Sequence, residues 1–212
     1  MRQLVVVAIT DPSARIGTLE AAQAALQAGV RAIQVRWKDG SPRDTLELAD
    51  ALRRATRAAG ALLLINDRVD IALAADADGA HLGDDDLPLP IARQITPSDF
   101  ILGRSVDTPD EAAAAEVAGA DYVGLGPIFN TASKSGLGDA IGPTGVAAVR
   151  DRVSLPIVAI GGIDRSRAAP VIEAGADGIA VIGAIMGALD PYSAARQLVE
   201  EVRRSLPESN AW

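Results

Sequence analysis

The stretch at residues 124–142 combines the residue types that bind phosphate groups. Thr131, Ser133 and Lys134 supply two hydroxyls and one ammonium, and the glycines around them leave backbone N–H groups accessible. Hydroxyls, backbone N–H groups and a cation are the donors that a phosphate needs. A connection of this length in a compact domain is usually either a functional lid or a disordered segment. The stretch therefore predicts a phosphate-binding lid, with a flexible surface loop as the alternative.

The use of lysine favours the phosphate-binding interpretation. The chain has 20 Lys and Arg residues together, and only Lys38 and Lys134 are lysine. Lysine is a compact point charge on a flexible stem, whereas arginine is a planar fork, so the two do not substitute freely at a phosphate. Both lysines follow an apolar segment that reads as a strand. We therefore expect both to bind anions.

Three polar residues recur at every second position after the second predicted strand. Gln34, Arg36 and Lys38 point to one face of this segment, and Val35 and Trp37 point to the other. Three polar groups on one face are unfavourable inside an apolar core. A solvated strand end explains Lys38 alone but not all three, so the pattern predicts a binding surface.

Carboxylates follow the third and fourth predicted strands. Asn66 and Asp67 follow the third strand, and the acidic triplet 84–86, which includes Asp86, follows the fourth. Consecutive strands of a parallel barrel are neighbours, and Mg²⁺ is typically held by one or two carboxylates plus substrate phosphates. Asp67 and Asp86 therefore predict a magnesium site, although a helix cap and a solvated turn would explain them singly. His81, the only histidine, is interpreted as a structural hydrogen-bonding residue.

The remaining strand ends carry small and polar residues. Ser105 and Asp107 follow the fifth strand, where capping of the helix from Pro109 is the alternative role. Gly162 and Gly183 follow the seventh and eighth strands. Loops after these two strands form the recurrent phosphate site of (β/α)₈ barrels, with helix N-termini supplying N–H donors. Two anion-binding regions are thus predicted, one for a monophosphate and one for a more highly charged group.

The elements that must position these residues alternate between strand and helix. A helix-end phrase of Ala-Gly recurs before apolar strands, as in Ala118-Gly119 and Ala174-Gly175. Roughly eight β–α units predict a single-domain (β/α)₈ barrel over residues 1–206, followed by a frayed tail at 207–212. An open doubly wound sheet is the rival, but the first strand lacks the Gly-rich turn that such folds need. The predicted strands are 4–9, 32–36, 62–65, 79–82, 100–102, 122–125, 157–160 and 179–182.

Composition excludes several functional classes. Net charge is -8 and aromatic residues are 3% of the chain, so a nucleic-acid partner is not expected. No apolar run is long enough to span a membrane, and no signal peptide is recognisable. The absence of cysteine fits a reducing compartment, which predicts a cytoplasmic protein acting on small phosphorylated molecules. The oligomeric state stays open, with a homodimer among the options.

These motifs together resemble the thiamine-phosphate synthase family, over nearly the whole chain. The Gln-Val-Arg-Trp-Lys run at 34–38 is similar to the family's Q-L-R-x-K segment, and residues 126–134 are similar to its G-P-x-F-x-T-x-T-K loop. The resemblance implies a (β/α)₈ transferase of thiamine biosynthesis. It would condense 4-amino-2-methyl-5-(diphosphooxymethyl)pyrimidine with 4-methyl-5-(2-phosphooxyethyl)thiazole, or its carboxylated form, and release pyrophosphate.

The resemblance also implies a role for individual residues. It makes Asp67 and Asp86 the Mg²⁺ ligands, and Arg36, Lys134 and Ser105 the catalytic residues. It assigns the pyrimidine diphosphate to Gln34, Val35, Arg36, Trp37, Lys38, Asn66, Ser105 and Lys134. It assigns the thiazole phosphate to Thr131, Ala132, Ser133, Gly162, Ile182 and Gly183.

Three positions depart from the family pattern. Gly183 replaces the usual Ser, which would remove one hydroxyl donor, and Asp84 replaces the usual Gln. Asp107 stands where the family usually has His. Thiazole tautomerases, a sister family, use a His at that position to transfer a proton, so Asp107 counts against the tautomerase alternative. A catalytically silent phosphate-binding barrel is the other alternative.

Overall fold

The computed structural model describes residues 2–131 and 139–207, which form one closed barrel of parallel strands. The strands are β1 Val6–Ile9, β2 Ala32–Val35, β3 Leu62–Asn66, β4 Gly79–Leu82, β5 Ile101–Val106, β6 Tyr122–Leu125, β7 Ile157–Ile160 and β8 Gly178–Val181. The helices are α1 Thr18–Gln27, α2 Pro42–Ala59, α3 Val69–Ala74, α4 Leu89–Ile95, α5 Pro109–Val117, α6 Gly142–Arg150, α7 Arg165–Glu173, α8 Gly183–Met186 and α9 Pro191–Ser205.

Pairing of the first and last strands closes the sheet. Each strand pairs in parallel with its sequence neighbours, and β1 pairs with β8 through Val6 opposite Ile179. A doubly wound sheet would leave two open edges, so this pairing confirms the predicted (β/α)₈ barrel. In the described part of the chain, no helix has the length and hydrophobicity needed to cross a membrane.

Alternation along each strand divides the core into two layers. Val6 and Ala8 pack outward against the helices in the larger cluster, whereas Val7 and Ile9 point into the barrel with Leu64. Successive side chains of a strand face opposite sides, so apolar runs are expected in strands that are covered on both faces. Polar residues that share the inward register must therefore lie in the barrel interior or its mouth.

The N-terminal end of the barrel is reinforced by a repeated ion pair. An Asp just before each of β4, β6 and β8 accepts the backbone N–H of a residue near the start of the preceding strand, and it pairs with an Arg of the helix that comes before that preceding strand. The three sets are Asp78 with Leu63 and Arg53, Asp121 with Leu102 and Arg93, and Asp177 with Ile157 and Arg150. At the corresponding position before β2 the chain has Arg31, which donates to Leu26 and Val30 carbonyls instead.

Two predicted strand boundaries were wrong by more than one residue, whereas several others differ by a single residue. Leu4 and Val5 belong to a 3₁₀ turn at Arg2–Val5 that precedes β1. The fifth strand continues to Val106 rather than ending at residue 102, because it pairs with β6 as far as Val106 opposite Leu125. Ser105 therefore lies inside a strand, and its side chain is held by the barrel rather than by a loop.

Candidate active site

A cavity of ≈ 390 Å³ opens at the C-terminal ends of the strands, where barrel enzymes place their chemistry. Its walls include residues from all eight strands or the loops that follow them. Most of the predicted site residues line it, and these are Gln34, Arg36, Lys38, Asn66, Asp67, Asp86, Ser105, Thr131, Gly162, Ile182 and Gly183. Residues separated by up to about 150 positions in the sequence are thus brought into one pocket, as the barrel interpretation requires.

Five predicted site residues are not among those that line the cavity: two have side chains that lie elsewhere, and three fall outside the described residues. Val35 is completely buried between the barrel and the helices, and the Trp37 ring packs beside Gly40, where an added Cβ would lie 2.6 Å from its Cγ. Neither side chain lines the cavity, because both belong to the outward register of this segment. Ala132, Ser133 and Lys134 fall outside the described residues.

A buried threonine orders the end of β2. Thr10 is fully buried; its Oγ1 accepts the Arg36 backbone N–H at 2.8 Å and donates to the Arg36 carbonyl at 3.1 Å. These two bonds hold the Arg36 backbone at the rim of the cavity. In the described part of the chain, the side chains of Arg36 and Lys38 form no hydrogen bond or ion pair, so both cations are available to a ligand. Sequence reasoning missed Thr10, although a polar residue directly after an apolar strand was a signal for it.

Two amide side chains on neighbouring strands form a polar pair in the wall. The Gln34 amide Nε2 donates to Asn66 Oδ1 at 2.8 Å, and Gln34 is only 4% exposed. This bond leaves the Gln34 Oε1 acceptor and the remaining Asn66 N–H donors for a ligand. The pair can therefore recognise a group that presents both a donor and an acceptor on one edge.

The two predicted metal ligands are in contact. The pKa of Asp67 is raised from an ordinary 3.8 to about 6, chiefly by burial and then by the hydrogen bond with Asp86 and its negative charge, while the charges of Arg36 and Lys38 act in the opposite direction. Asp67 has a positive φ of 65°, and its backbone N–H donates to the His81 carbonyl at 2.8 Å. This tight turn brings the carboxylate toward Asp86 in the loop that follows the next strand, β4.

The donor set fits a magnesium ion. Two adjacent carboxylates repel each other unless a proton or a cation lies between them, and after burial the contact with Asp86 is the next cause of the raised pKa of Asp67. Asp86 Oδ2 is oriented by the Gly83 N–H at 2.6 Å. Within residues 2–131 and 139–207, no cluster of three or more His, Cys, Asp or Glu is placed to hold a metal. A two-carboxylate site that substrate phosphates complete is the arrangement typical of Mg²⁺.

The aspartates of the acidic triplet 84–86 differ in their contacts. Asp84 forms an ion pair with Arg104, which also donates to the Gly83 carbonyl. Its charge is therefore already neutralised locally, although its carboxylate stays largely exposed. Of the triplet, only Asp86 is in contact with Asp67, as the sequence predicted.

A hydrogen-bonded row of three side chains lies at the floor of the cavity. His81 Nε2 lies 2.9 Å from Ser105 Oγ, and His81 Nδ1 lies 2.9 Å from the Tyr122 hydroxyl. The two rings are tilted with centroids 5.5 Å apart. His81 is thus a hydrogen-bonding residue, as predicted, but Tyr122 was read only as part of an apolar strand.

Glycines after β7 bring two loops together on the opposite side of the cavity. Gly161 and Gly162 have positive φ values of 105° and 59°. A Cβ would lie 2.8 Å from Pro127 Cα at Gly161 and 2.5 Å from the Asn130 carbonyl at Gly162. The segment after β6, which leads into the predicted phosphate-binding loop, can therefore pack directly on the loop after β7.

The short helix α8 completes this side. Gly183 begins it after Ile182, so the first N–H groups of the helix have no intrahelical acceptor. A Cβ added at Gly183 would have nothing within 4 Å, so the space for the family's usual Ser side chain is open. Asp107 also lines the cavity, and its backbone N–H donates to Glu111 Oε2 at 2.7 Å.

Comparisons with known proteins agree with this geometry. Residues 6–185 match a family model described as Thiamine monophosphate synthase. A thiamine-phosphate synthase of Moorella thermoacetica is 52% identical over 89% of this chain and 90% of its own. One of Natronomonas pharaonis is 50% identical over 93% of both chains. The solved thiamine phosphate pyrophosphorylase of Pyrococcus furiosus superposes with a TM-score of 0.90 at 41% identity, covering 97% of this chain and 98% of that one.

Proposed function

The chain belongs to the thiamine monophosphate synthase family, and on that premise we propose that it joins an aminopyrimidine diphosphate to a thiazole phosphate and releases pyrophosphate. The observation that carries the proposal is that one cavity has groups suited to anions on two opposite sides. Arg36, Lys38 and the Asp67–Asp86 pair lie on one side, and the glycine loops after β7 and β8 lie on the other. Two phosphorylated substrates need such a pair of sites with reacting atoms between them.

The pyrimidine diphosphate is assigned to the side formed by β2, β3 and β5. Gln34 and Asn66 offer an acceptor and donors to the edge of the aminopyrimidine ring, and Ser105 lies on the same wall. Arg36 and Lys38 would neutralise the diphosphate, since neither cation is engaged elsewhere in the described residues. Lys134 would add a third cation on the basis of its motif, because the family loop carries the lysine at that position.

Magnesium is part of the same proposal. Asp67 and Asp86 would hold Mg²⁺, and the ion would supply positive charge to the departing diphosphate. The contact between the two carboxylates supports this assignment, since it is unfavourable without a cation or a proton.

The thiazole phosphate is assigned to the opposite side. Backbone N–H groups at Gly162, Ile182 and Gly183 and the Thr131 hydroxyl would bind its phosphate, with Ala132 and Ser133 contributing by motif. Gly183 provides no hydroxyl, so backbone donors would carry more of the binding than in relatives with Ser.

The chemistry needs positioning and charge rather than a nucleophilic side chain. The C–O bond to the diphosphate breaks with both electrons on the leaving oxygen, and the amino-substituted ring stabilises the resulting cation. The lone pair of the thiazole nitrogen then forms the new C–N bond, and the product carries that positive charge. Arg36 and Lys38 hold the leaving group, and the apolar residues Ile9, Val158 and Ala180 in the wall limit the access of water to the cation.

The tautomerase alternative requires a different residue set. Proton transfer on a thiazole needs an acid–base group that titrates near neutral pH, for which His is the usual choice. The position that carries His in tautomerases is Asp107 here, an exposed carboxylate. Localisation in the cytoplasm and assembly as a homodimer stay predictions, which cell fractionation and size-exclusion chromatography would test.

The test is stoichiometric release of pyrophosphate with both substrates present and Mg²⁺ added. Each substrate alone, and both substrates with EDTA, should release little. Isomerisation of the thiazole phosphate without pyrophosphate release would support the tautomerase instead, and binding of both ligands without turnover would support a silent phosphate-binding barrel.

A further inference from the structure

The row of side chains beneath the cavity has one end completely buried. Tyr122 is 2% exposed, and within the described part of the chain its hydroxyl has one hydrogen-bond partner, His81 Nδ1, at 2.9 Å. Burial raises the pKa of Tyr122 well above its ordinary value, so the phenol keeps its proton. All three side chains line the floor of the cavity that the substrates enter, and Ser105 is the partly exposed end of the row. His81 connects the two ends and is the only histidine of the chain.

Two glycines make the space for this row. A Cβ at Gly103 would lie 2.2 Å from the Tyr122 ring, and one at Gly124 would lie 2.7 Å from His81 Cε1. Both distances are shorter than real side chains allow, so any larger residue would displace a ring. Neither glycine has a positive φ that would explain its presence otherwise. The barrel interior is therefore shaped around His81 and Tyr122.

The direction of each hydrogen bond in the row follows from the burial of the Tyr122 hydroxyl. If His81 Nδ1–H donated to the phenol oxygen, the Tyr122 hydrogen would be buried with no acceptor among the described residues, which is unfavourable. Tyr122 must therefore donate to an unprotonated Nδ1. A neutral imidazole then carries its proton on Nε2 and donates it to Ser105 Oγ. The Ser105 hydrogen is left to point toward the cavity, since this side chain has no other partner in the described part of the chain.

We propose that Tyr122 is a positioning residue that fixes the Nε2–H tautomer of His81 and thereby makes Ser105 a hydrogen-bond donor to the ligand. The ligand must then present an acceptor at this wall, and an aromatic ring nitrogen is such a group. Together with the Gln34 oxygen as acceptor, this polarity suits an aminopyrimidine edge. The identity of the ligand rests on the proposed function, whereas the tautomer does not.

The tautomer can be measured without any substrate. In ¹⁵N-labelled protein the single imidazole gives one unambiguous pair of ring nitrogen resonances, and protonated and unprotonated nitrogens differ widely in chemical shift. The wild type should show His81 protonated at Nε2 alone. Tyr122→Phe, which keeps the ring and removes only the hydroxyl, should shift the population toward Nδ1–H. A wild-type Nδ1–H tautomer or imidazolium at neutral pH, or an unchanged tautomer in Tyr122→Phe, would overturn the proposal.

Kinetics test the consequence for the reaction. Tyr122→Phe should lower kcat/KM for the pyrimidine diphosphate about tenfold, the size of one hydrogen bond, and leave KM for the thiazole phosphate unchanged. Tyr192→Phe is the matched control, because it is the only other tyrosine and lies half-exposed on α9, and it should behave as wild type.

A double-mutant cycle separates positioning from general loss of structure. Ser105→Ala should lose activity at least as strongly as Tyr122→Phe, and the double variant should be no worse than Ser105→Ala, since Tyr122 acts only through Ser105. Additive losses, or equal losses for both substrates, would contradict the proposal. If the wild type releases no pyrophosphate, the proposed function fails, and the nitrogen resonances still decide the tautomer.

Discussion

At the residue scale, Asp67 has a conformation and a charge environment that both disfavour it in the free protein. It has a positive φ, and its carboxylate contacts that of Asp86. Because its folded pKa of about 6 is above the unfolded value of 3.8, the fold binds the proton more tightly, and stability should fall as pH rises from about 4 to 6. Asn tolerates positive φ well and carries no charge.

We therefore expect Asp67→Asn to stabilise the metal-free protein at pH 7.5 and to flatten this pH dependence. The same variant should lose at least about 10²-fold in turnover, since one preorganised charge partner is removed. Asp76→Asn is a matched control, because Asp76 is the other aspartate with positive φ and its ion pair with Arg57 is exposed. Thermal unfolding in EDTA at pH 5 and 7.5, with a pyrophosphate assay, checks both effects. A destabilised Asp67→Asn that keeps full turnover would refute the metal assignment.

Gly183 offers a gain-of-function test at the same scale. The space for a side chain is open, and its φ is not in the left-handed region. Gly183→Ser should add a hydroxyl donor to the thiazole phosphate and lower its KM about two- to tenfold. Gly162→Ala is the contrasting variant, because its positive φ and the 2.5 Å approach to the Asn130 carbonyl predict lost stability. An unchanged KM in Gly183→Ser would place that phosphate elsewhere.

At the element scale, the repeated Arg–Asp pairs join the helices α2, α4 and α6 to the strands at the end of the barrel remote from the cavity. Asp177 accepts the N–H of Ile157, which is completely buried, and pairs with Arg150. Asp177→Ala leaves that N–H without an acceptor and should lower the free energy of unfolding by about 1–3 kcal/mol.

Activity at low temperature should survive Asp177→Ala, because the shape of the cavity does not depend on contacts at the N-terminal end of the barrel. Asp110→Ala removes the exposed ion pair with Arg152 and should change stability by less than about 1 kcal/mol. Urea unfolding of both variants measures the difference. Equal stabilities would show that the N-terminal pairs contribute no more than surface pairs.

At the scale of the whole molecule, ligand binding should be visible as stabilisation of the barrel. Its net charge of -8 disfavours anions at long range, so diphosphate binding must depend on local cations. Pyrophosphate with Mg²⁺ at about 100 times the dissociation constant should stabilise the fold by about 2.7 kcal/mol. Thermal unfolding should show a clearly smaller shift with pyrophosphate in EDTA. An identical shift in EDTA would mean that the anion binds without the metal.

Several features of the site were predictable because they depend on neighbours in the sequence. The alternation of Gln34, Arg36 and Lys38 predicted that they share one face. The positions of Asp67 and Asp86 after adjacent strands predicted that the two carboxylates lie close together. The same register explains why Val35 and Trp37 do not line the cavity. The end of β5 was missed because Gly103, Arg104 and Ser105 read as a loop, whereas pairing with β4 and β6 keeps the segment extended.

The amino-acid sequence by itself determined the β–α alternation, the barrel class and the family, since apolar periodicity and local motifs carry that information. Only the tertiary structure decided which polar groups meet inside the barrel. His81 and Tyr122 are 41 residues apart, and Thr10 and Arg36 are 26 apart. Their contacts depend on the register between strands and on the space that Gly103 and Gly124 leave, and neither is encoded in any short stretch of the chain.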